Sequence, residues 1–462
     1  MSANLPSLSR RSTLAIAVAI FSMHFGAACM LWPTTWGRNS GDSFPLAFAG
    51  FFFSGIILPW LGYVAVSKAG TNLAGMTRRV SKTFCYVYGT LTVLVLGPLF
   101  AVPRMSAASW DAVAKLFSLD PASSQGYIVL HVGFSVLFYL VTAWFMSSQT
   151  NILGKLAKYL APLLLMLEIG IILTAVFLPL GEAVSKNYPE HPFNYGFING
   201  YQTLDLICAI MFSGFIIYDL RNRLGGHAGK VNRCLCLTGL LGFLLMALIQ
   251  FGEMYRGSTA SGIFPTVDYA KLSATLIIEQ FGITGGTIFD LCLLLTCLTT
   301  AVGLLAGTAT FVAEASDKRI SYGRASAFCL AVSFAISCAG LDVIVNRLTP
   351  VLQFVYPPCI ALTLCYVFAS ARENSTRLAC ILTAIWGFLD MTAAYLLMAG
   401  FPGLNEMLNM VPLSGWGLAF VWPMALGWRL GMPADSRKLR PMECKKEEKP
   451  LSEPLPHMGD AA

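Results

Sequence analysis

Apolar residues arrive in long blocks, each about the ~20 residues a helix needs to cross a bilayer. Twelve such blocks lie near residues 12–33, 45–66, 83–102, 127–147, 156–180, 197–218, 234–251, 286–312, 325–341, 346–369, 378–400 and 414–432, with polar residues gathered between them. The pattern predicts an all-α integral membrane protein of about twelve transmembrane helices. Two blocks break in their own middle. The first carries Phe25-Gly26-Ala27-Ala28-Cys29 with Trp32-Pro33 just beyond, and the sixth is interrupted by Tyr201-Gln202-Thr203-Leu204-Asp205. A span built only to anchor has no use for such weak points. Backbone that unwinds at membrane depth frees carbonyls and amides that need partners, so the break lines a cavity. In transporters those groups meet ions and zwitterions.

The two breaks stand roughly one five-span unit apart, and Gly97-Pro98 in the third block has a counterpart in Gly282–Gly286 ahead of the eighth. Because five is odd, the second unit enters the membrane inverted. The predicted division is an N-terminal tail over 1–11, a first five-helix repeat over 12–181 and a second, inverted one over 182–369. Two additional helices follow over 370–432, and 433–462 forms a disordered tail in which prolines mix with charges of both signs. The segment 268–281 has apolar residues at helical spacing and suits either a short gate helix or an ordinary amphipathic surface helix.

Composition narrows the class. The chain is 56% hydrophobic and 12% charged, against ~25% charge in a soluble domain, and its mean hydropathy is +0.66. With the N-terminus cytoplasmic, all of the 31 Lys and Arg fall inside except Arg38, Arg104, Lys115, Lys186, Arg256, Lys271 and Arg347. That asymmetry predicts two cytoplasmic termini, so the +7 net charge reports topology and argues no nucleic-acid partner. The first span lacks a cleavage site and is expected to be retained. The thirteen cysteines fall mostly inside spans as packing groups, and Cys234-Leu235-Cys236 lacks the second pair a zinc site requires. With no phosphate-loop lysine, partnered nucleophile or nucleotide domain, the chain is expected to be no enzyme, to need no cofactor and no obligate protein partner, and to draw on an ion gradient.

Several residues carry candidate chemistry. The amides after the Gly26 break present a helix's positive end to a substrate carboxylate, although Gly26-Ala27-Ala28 equally suits a helix-packing face. Thr296, Thr299 and Thr300 supply neutral oxygens for a monovalent cation, or bond back to their own helix. Asp205 suits a substrate ammonium, a coupling cation, a proton or a helix N-cap. His24 suits proton exchange or donation to a backbone carbonyl. Arg104 suits an anionic substrate group or snorkelling to the interface. Glu168, Asp290 and Asp390 suit ion coupling, a structural hydrogen bond or a place near the membrane face.

Longer strings carry a resemblance. Gly97-Pro98-Leu99-Phe100-Ala101-Val102-Pro103-Arg104, Asn199-Gly200-Tyr201-Gln202-Thr203-Leu204-Asp205, Thr300-Ala301-Val302-Gly303-Leu304, Tyr356-Pro357-Pro358-Cys359 and Gly387-Phe388-Leu389-Asp390 occur in family order along nearly the whole chain. They resemble the bacterial branched-chain amino acid:cation symporters, the system II carriers. The resemblance implies a leucine-transporter-like fold, two inverted five-helix repeats plus two helices, in the bacterial inner membrane. It implies uptake of the branched-chain L-amino acids leucine, isoleucine and valine with Na⁺ or H⁺. It further implies a coupling-ion site from the Ser22, Phe25 and Thr296 carbonyls with the Thr299 and Thr300 hydroxyls. The substrate carboxylate would meet amides around Gly26, Ala27 and Ala28, and its ammonium the oxygens of Gln202, Thr203 and Asp205. Here Ala28 and Cys29 replace the family's second glycine and its asparagine. That change bears on substrate range, so carriage of other neutral or aromatic amino acids, or a sensor or channel role, stands as the alternative.

Overall fold

A computed structural model describes residues 9–119, 126–147, 152–185, 191–224, 228–266, 269–316, 319–368 and 373–432; the expected C-terminal tail and residues 1–8 lie outside these. The first span is two helices, α1 (Arg10–His24) and α2 (Ala27–Ser40). The second comprises α3 (Phe44–Phe51) and α4 (Leu58–Ala69), joined by a π-helical turn over Phe52–Ile57. After α5 (Leu73–Val80), the third is assembled from α6 (Lys82–Phe84), α7 (Thr90–Leu94) and α8 (Ala101–Leu116), with π turns over Cys85–Gly89 and Val95–Leu99. The fourth and fifth are α9 (Tyr127–Ser147) and α10 (Ile152–Phe177). The sixth is split into α11 (Pro192–Gly200) and α12 (Asp205–Arg223). Then come α13 (Ala228–Thr259), α14 (Tyr269–Ala315), α15 (Tyr322–Ser337), α16 (Leu341–Phe368), α17 (Glu373–Met398), α18 (Gly403–Asn409) and α19 (Val421–Leu430).

Every one of the twelve apolar blocks falls on helix. Among the described residues, seven helical stretches are long and apolar enough to cross a bilayer unaided, namely Ala27–Ala69, Lys82–Leu116, Tyr127–Ser147, Gly229–Thr259, Lys271–Ala313, Leu341–Phe368 and Glu373–Met398. The last block is regular α-helix only over Val421–Leu430, roughly 15 Å at 1.5 Å per residue. Interruptions also appear where glycine and proline announced them. The chain leaves helical geometry at Phe100 (φ −136°) after Gly97-Pro98, and α14 breaks at Gly282 (φ 68°), a conformation that glycine adopts without a Cβ clash.

The centre belongs to the broken helices. All of α2 except Asn39 is buried, although half its residues are polar, small or charged. It lies so close to α13 that a Cβ on Gly257 would stand 1.8 Å from the Thr34 carbonyl oxygen, and one on Gly37 1.8 Å from that of Met254. Small residues let helix backbones meet where lipid offers no hydrophobic drive to associate. α8 is almost wholly buried as well. By contrast Ile128, Leu137 and Leu140 of α9 and Met166 and Leu173 of α10 are exposed, as expected of side chains that face lipid.

Candidate functional site

Helix α1 ends at His24, Phe25 and Gly26 leave helical geometry (ψ 84° and −176°), and α2 resumes at Ala27. The unwound stretch is therefore two residues long and starts just ahead of the expected Gly26–Cys29, because Gly26 serves as N-cap and Ala27-Ala28-Cys29 return to helix. The Gly26 amide turns to the His24 carbonyl at 2.9 Å, and the Cys29 amide to the Gly26 carbonyl at 3.0 Å. Each would otherwise have served the carbonyl four residues back, so Ser22 and Phe25 lose their regular donors. The amides of Ala27 and Ala28, in the first turn of α2, have no intrahelical acceptor.

The second break is one 3₁₀ turn, Tyr201–Thr203, followed by Leu204 at φ 60°, ψ 13°. A leucine in the left-handed region costs about 1–2 kcal/mol. Burial of its side chain and the Ile207 and Cys208 amides that donate to its carbonyl, at 3.1 and 3.0 Å, hold it there. Strain of this kind collects at functional positions. Asp205 opens α12 but does not cap it: the N-cap is Leu204, which makes no side-chain capping bond, and the Asp205 amide itself donates to Thr203 Oγ1 at 3.4 Å. Its Oδ1 lies 2.9 Å from His24 Nδ1, and His24 Nε2 lies 3.2 Å from the Tyr63 hydroxyl. His24 thus bridges the Asp205 carboxylate and the Tyr63 hydroxyl. This corrects both the capping reading of Asp205 and the backbone-donor reading of His24. The break places the carboxylate against the imidazole, while the nearest carbonyl, that of His24 itself, is taken by Gly26. Asp205 Oδ2 is buried with no hydrogen-bond partner among the described residues.

Arg104 is corrected too. It does not snorkel to an interface; it is 1% exposed, because α8 continues past the apolar block through the centre of the protein. Its guanidinium carbon lies 4.6 Å from the Trp32 ring centroid and 4.5 Å from that of Phe100. Nη2 donates to the Gln202 carbonyl at 2.6 Å. Two further cations expected in outer loops, Arg38 and Arg256, are also buried.

A cavity of about 40 Å³ lies between the two breaks. Gly26, Ala28, Arg104, Thr203, Asp205 and Thr300 form its polar wall, and Met23, Leu96, Met105, Cys208, Phe212 and Leu304 its apolar one. Five of the expected site residues thus meet at one place, and a Cβ on Gly26 would stand 3.6 Å from Thr300 Oγ1. The others do not form the wall. Gln202 is held by Trp32, whose Nε1 donates to its Oε1 at 2.9 Å. The Ser22 hydroxyl donates to Val18 at 2.9 Å, Thr296 to Cys292 at 2.8 Å and Thr299 to Thr296 at 3.0 Å. A hydroxyl that donates to its own helix keeps its lone pairs for a cation. Ala27 sits in the first turn of α2, and Phe25 at the break, behind the lining residues. Tyr269, which opens α14 within the segment expected as a gate or surface helix, meets Trp32 in a tilted ring contact at 5.2 Å, and its amide donates to the Thr35 hydroxyl at 2.6 Å. Outside the cavity, Asp390 accepts from Trp386 Nε1 at 3.0 Å, a structural bond. Glu168 and Asp290 are buried without hydrogen-bond partners among the described residues.

Solved structures share this architecture. The chain superposes on Mhp1, a nucleobase-cation-symport-1 family transporter in a closed conformation, with a TM-score of 0.62 at 13% identity over 90% of this chain and 91% of that one. An inward-facing Mhp1 gives 0.55 over 89% and 94%. The fold is therefore that of the leucine-transporter-like membrane carriers. The family model described as branched-chain amino acid transport protein matches residues 9–437, and the chain belongs to that family. Among relatives, the branched-chain amino acid permease BrnQ of Corynebacterium glutamicum is 28% identical over 96% of this chain and 99% of its own. The permease BraB of Bacillus subtilis is 26% identical over 92% and 96%.

Proposed function

We propose that the protein imports leucine, isoleucine and valine by alternating access in symport with a monovalent cation, across a bacterial inner membrane with both termini cytoplasmic. The observation that carries this is the convergence of two unwound helices on one cavity whose remaining wall is largely apolar. The zwitterion's carboxylate lies at the Gly26–Ala28 amides, and its ammonium at Asp205 and Thr203, with Gln202 behind. The branched side chain rests against Met23, Leu96, Met105 and Leu304. One methylene in such a pocket is worth about 1–3 kcal/mol, so the three amino acids differ only modestly. The cavity holds about three waters by volume, less than a leucine, so its walls part to load substrate. That motion is the one alternating access requires.

Na⁺ is read at the released Ser22 and Phe25 carbonyls with Thr296, Thr299 and Thr300, supported by the placement of Thr300 Oγ1 3.6 Å from where a Cβ on Gly26 would stand. H⁺ is favoured by a different observation, the His24–Asp205 pair, an imidazole and a carboxylate that together exchange a proton within the same cavity. Uptake of radiolabelled leucine, isoleucine and valine into proteoliposomes tests the reading, with sodium exchanged for choline across a pH series. Accumulation that follows an imposed gradient of either cation supports symport. Failure to accumulate any of the three under either gradient contradicts it.

A further inference from the structure

Arg104 is a buried cation whose donors are mostly unmet. A guanidinium offers five N–H groups in a rigid fork. Here Nη2 alone has an acceptor, the Gln202 carbonyl, while Nε and Nη1 have none among the described residues. Asp205 does not relieve it, since that carboxylate gives Oδ1 to His24 and leaves Oδ2 free. Trp32 and Phe100 fix the plane of the fork by stacking at 4.6 and 4.5 Å, and an aromatic face attracts a cation without satisfying its N–H groups. Leaving such donors unpaired in a dry interior is costly. Both the cation with its unmet donors and the carboxylate with its unmet oxygen line the same cavity. That is the complement of a molecule carrying one carboxylate and one ammonium.

We propose that Arg104 binds the substrate carboxylate through Nε or Nη1, beside the first-turn amides of α2, so that the cavity grips an amino acid by both charges. The inference rests on the reading of this cavity as the substrate site and adds to it the residue that selects for a free carboxylate. Because Nη2 already holds the Gln202 carbonyl, the contact also ties the occupied site to the second break. α-Amino amides and amino alcohols, which keep the ammonium but lack the carboxylate, are then poor ligands however well their side chains fit. A single charge-assisted hydrogen bond corresponds to about 10- to 100-fold in affinity.

The test is binding of radiolabelled leucine to purified protein in nanodiscs, with leucine and leucinamide as competitors. Wild type is expected to prefer leucine by about 100-fold or more. Arg104→Gln, which keeps an amide donor for Gln202, is expected to lose about 10- to 100-fold in leucine affinity while leucinamide changes little, so that the preference collapses. Arg104→Lys keeps the charge in the same stack and is expected to retain a preference for leucine at reduced affinity; it also serves if the Gln variant fails to fold. An undiminished preference in Arg104→Gln, or its disappearance in a folded Arg104→Lys, overturns the carboxylate role and leaves Arg104 a brace for Gln202. Wild type that binds no leucine overturns the cavity assignment itself, which a variant-specific result does not.

Discussion

Asp205 gains its meaning from what it fails to do. Carboxylates at helix starts ordinarily accept from first-turn amides, yet this one faces His24 and keeps an oxygen unpaired. Asp205→Asn preserves shape and removes the charge. It is expected to cut leucine uptake by about 10-fold or more while membrane insertion is unchanged, since it removes the carboxylate that both holds His24 and lines the cavity. Wild-type uptake by the variant would leave Asp205 only a role in the shape of the break. Thr300 is the parallel case for the cation. Its hydroxyl faces Gly26 and, unlike Thr296 and Thr299, makes no hydrogen bond to its own helix. Thr300→Ala is expected to raise the sodium concentration for half-maximal uptake by about 10-fold, and an unchanged activation curve would remove Thr300 from the ion site. His24 was a candidate from sequence, but its pairing with Asp205 escaped that reading because the two lie 181 residues apart, and a pairing of that kind arises only when two helices cross. Arg104 was misjudged because hydropathy ends the third span near residue 102, whereas the helical stretch runs to Leu116 and puts the arginine inside.

At the scale of elements, the breaks were legible because glycine and polar residues in an apolar run weaken a helix locally. Their boundaries were less so. Ala27-Ala28-Cys29 have good helix propensity and wind back into α2 once Gly26 has turned the chain, so only Phe25 and Gly26 open. In the second break a leucine takes the left-handed turn where glycine or asparagine would be expected, a choice no propensity scale proposes and that burial and the Ile207 and Cys208 amides sustain. The packing of α2 on α13 follows from sequence more directly, through Gly37 and Gly257. Gly257→Val would drive a branched side chain into the Thr34 carbonyl. It is expected to destabilise the protein by at least about 1–3 kcal/mol, read as a lower unfolding temperature in detergent. An unaltered unfolding temperature would show that α2 does not lie so close.

For the molecule as a whole, composition and block length were enough to specify a helical membrane protein, because a bilayer leaves a long apolar run no other way to satisfy its backbone. Three of the cations expected outside the membrane, Arg38, Arg104 and Arg256, are buried in the protein instead. They serve the interior: Arg38 donates to the Phe264 and Pro265 carbonyls, and Arg256 pairs with Glu253 at 2.7 Å beside Thr34. The central claim is that a branched-chain amino acid occupies the cavity between the two breaks. Two native cysteines, Cys29 and Cys208, line that cavity, while Cys338 lies outside it at the end of α15. The most direct test is therefore maleimide labelling of the unmodified protein in nanodiscs with and without saturating leucine, each thiol followed by mass spectrometry. Leucine is predicted to slow labelling of Cys29 and Cys208 and to leave Cys338 unchanged; labelling of Cys29 and Cys208 at the same rate with leucine bound would contradict the account.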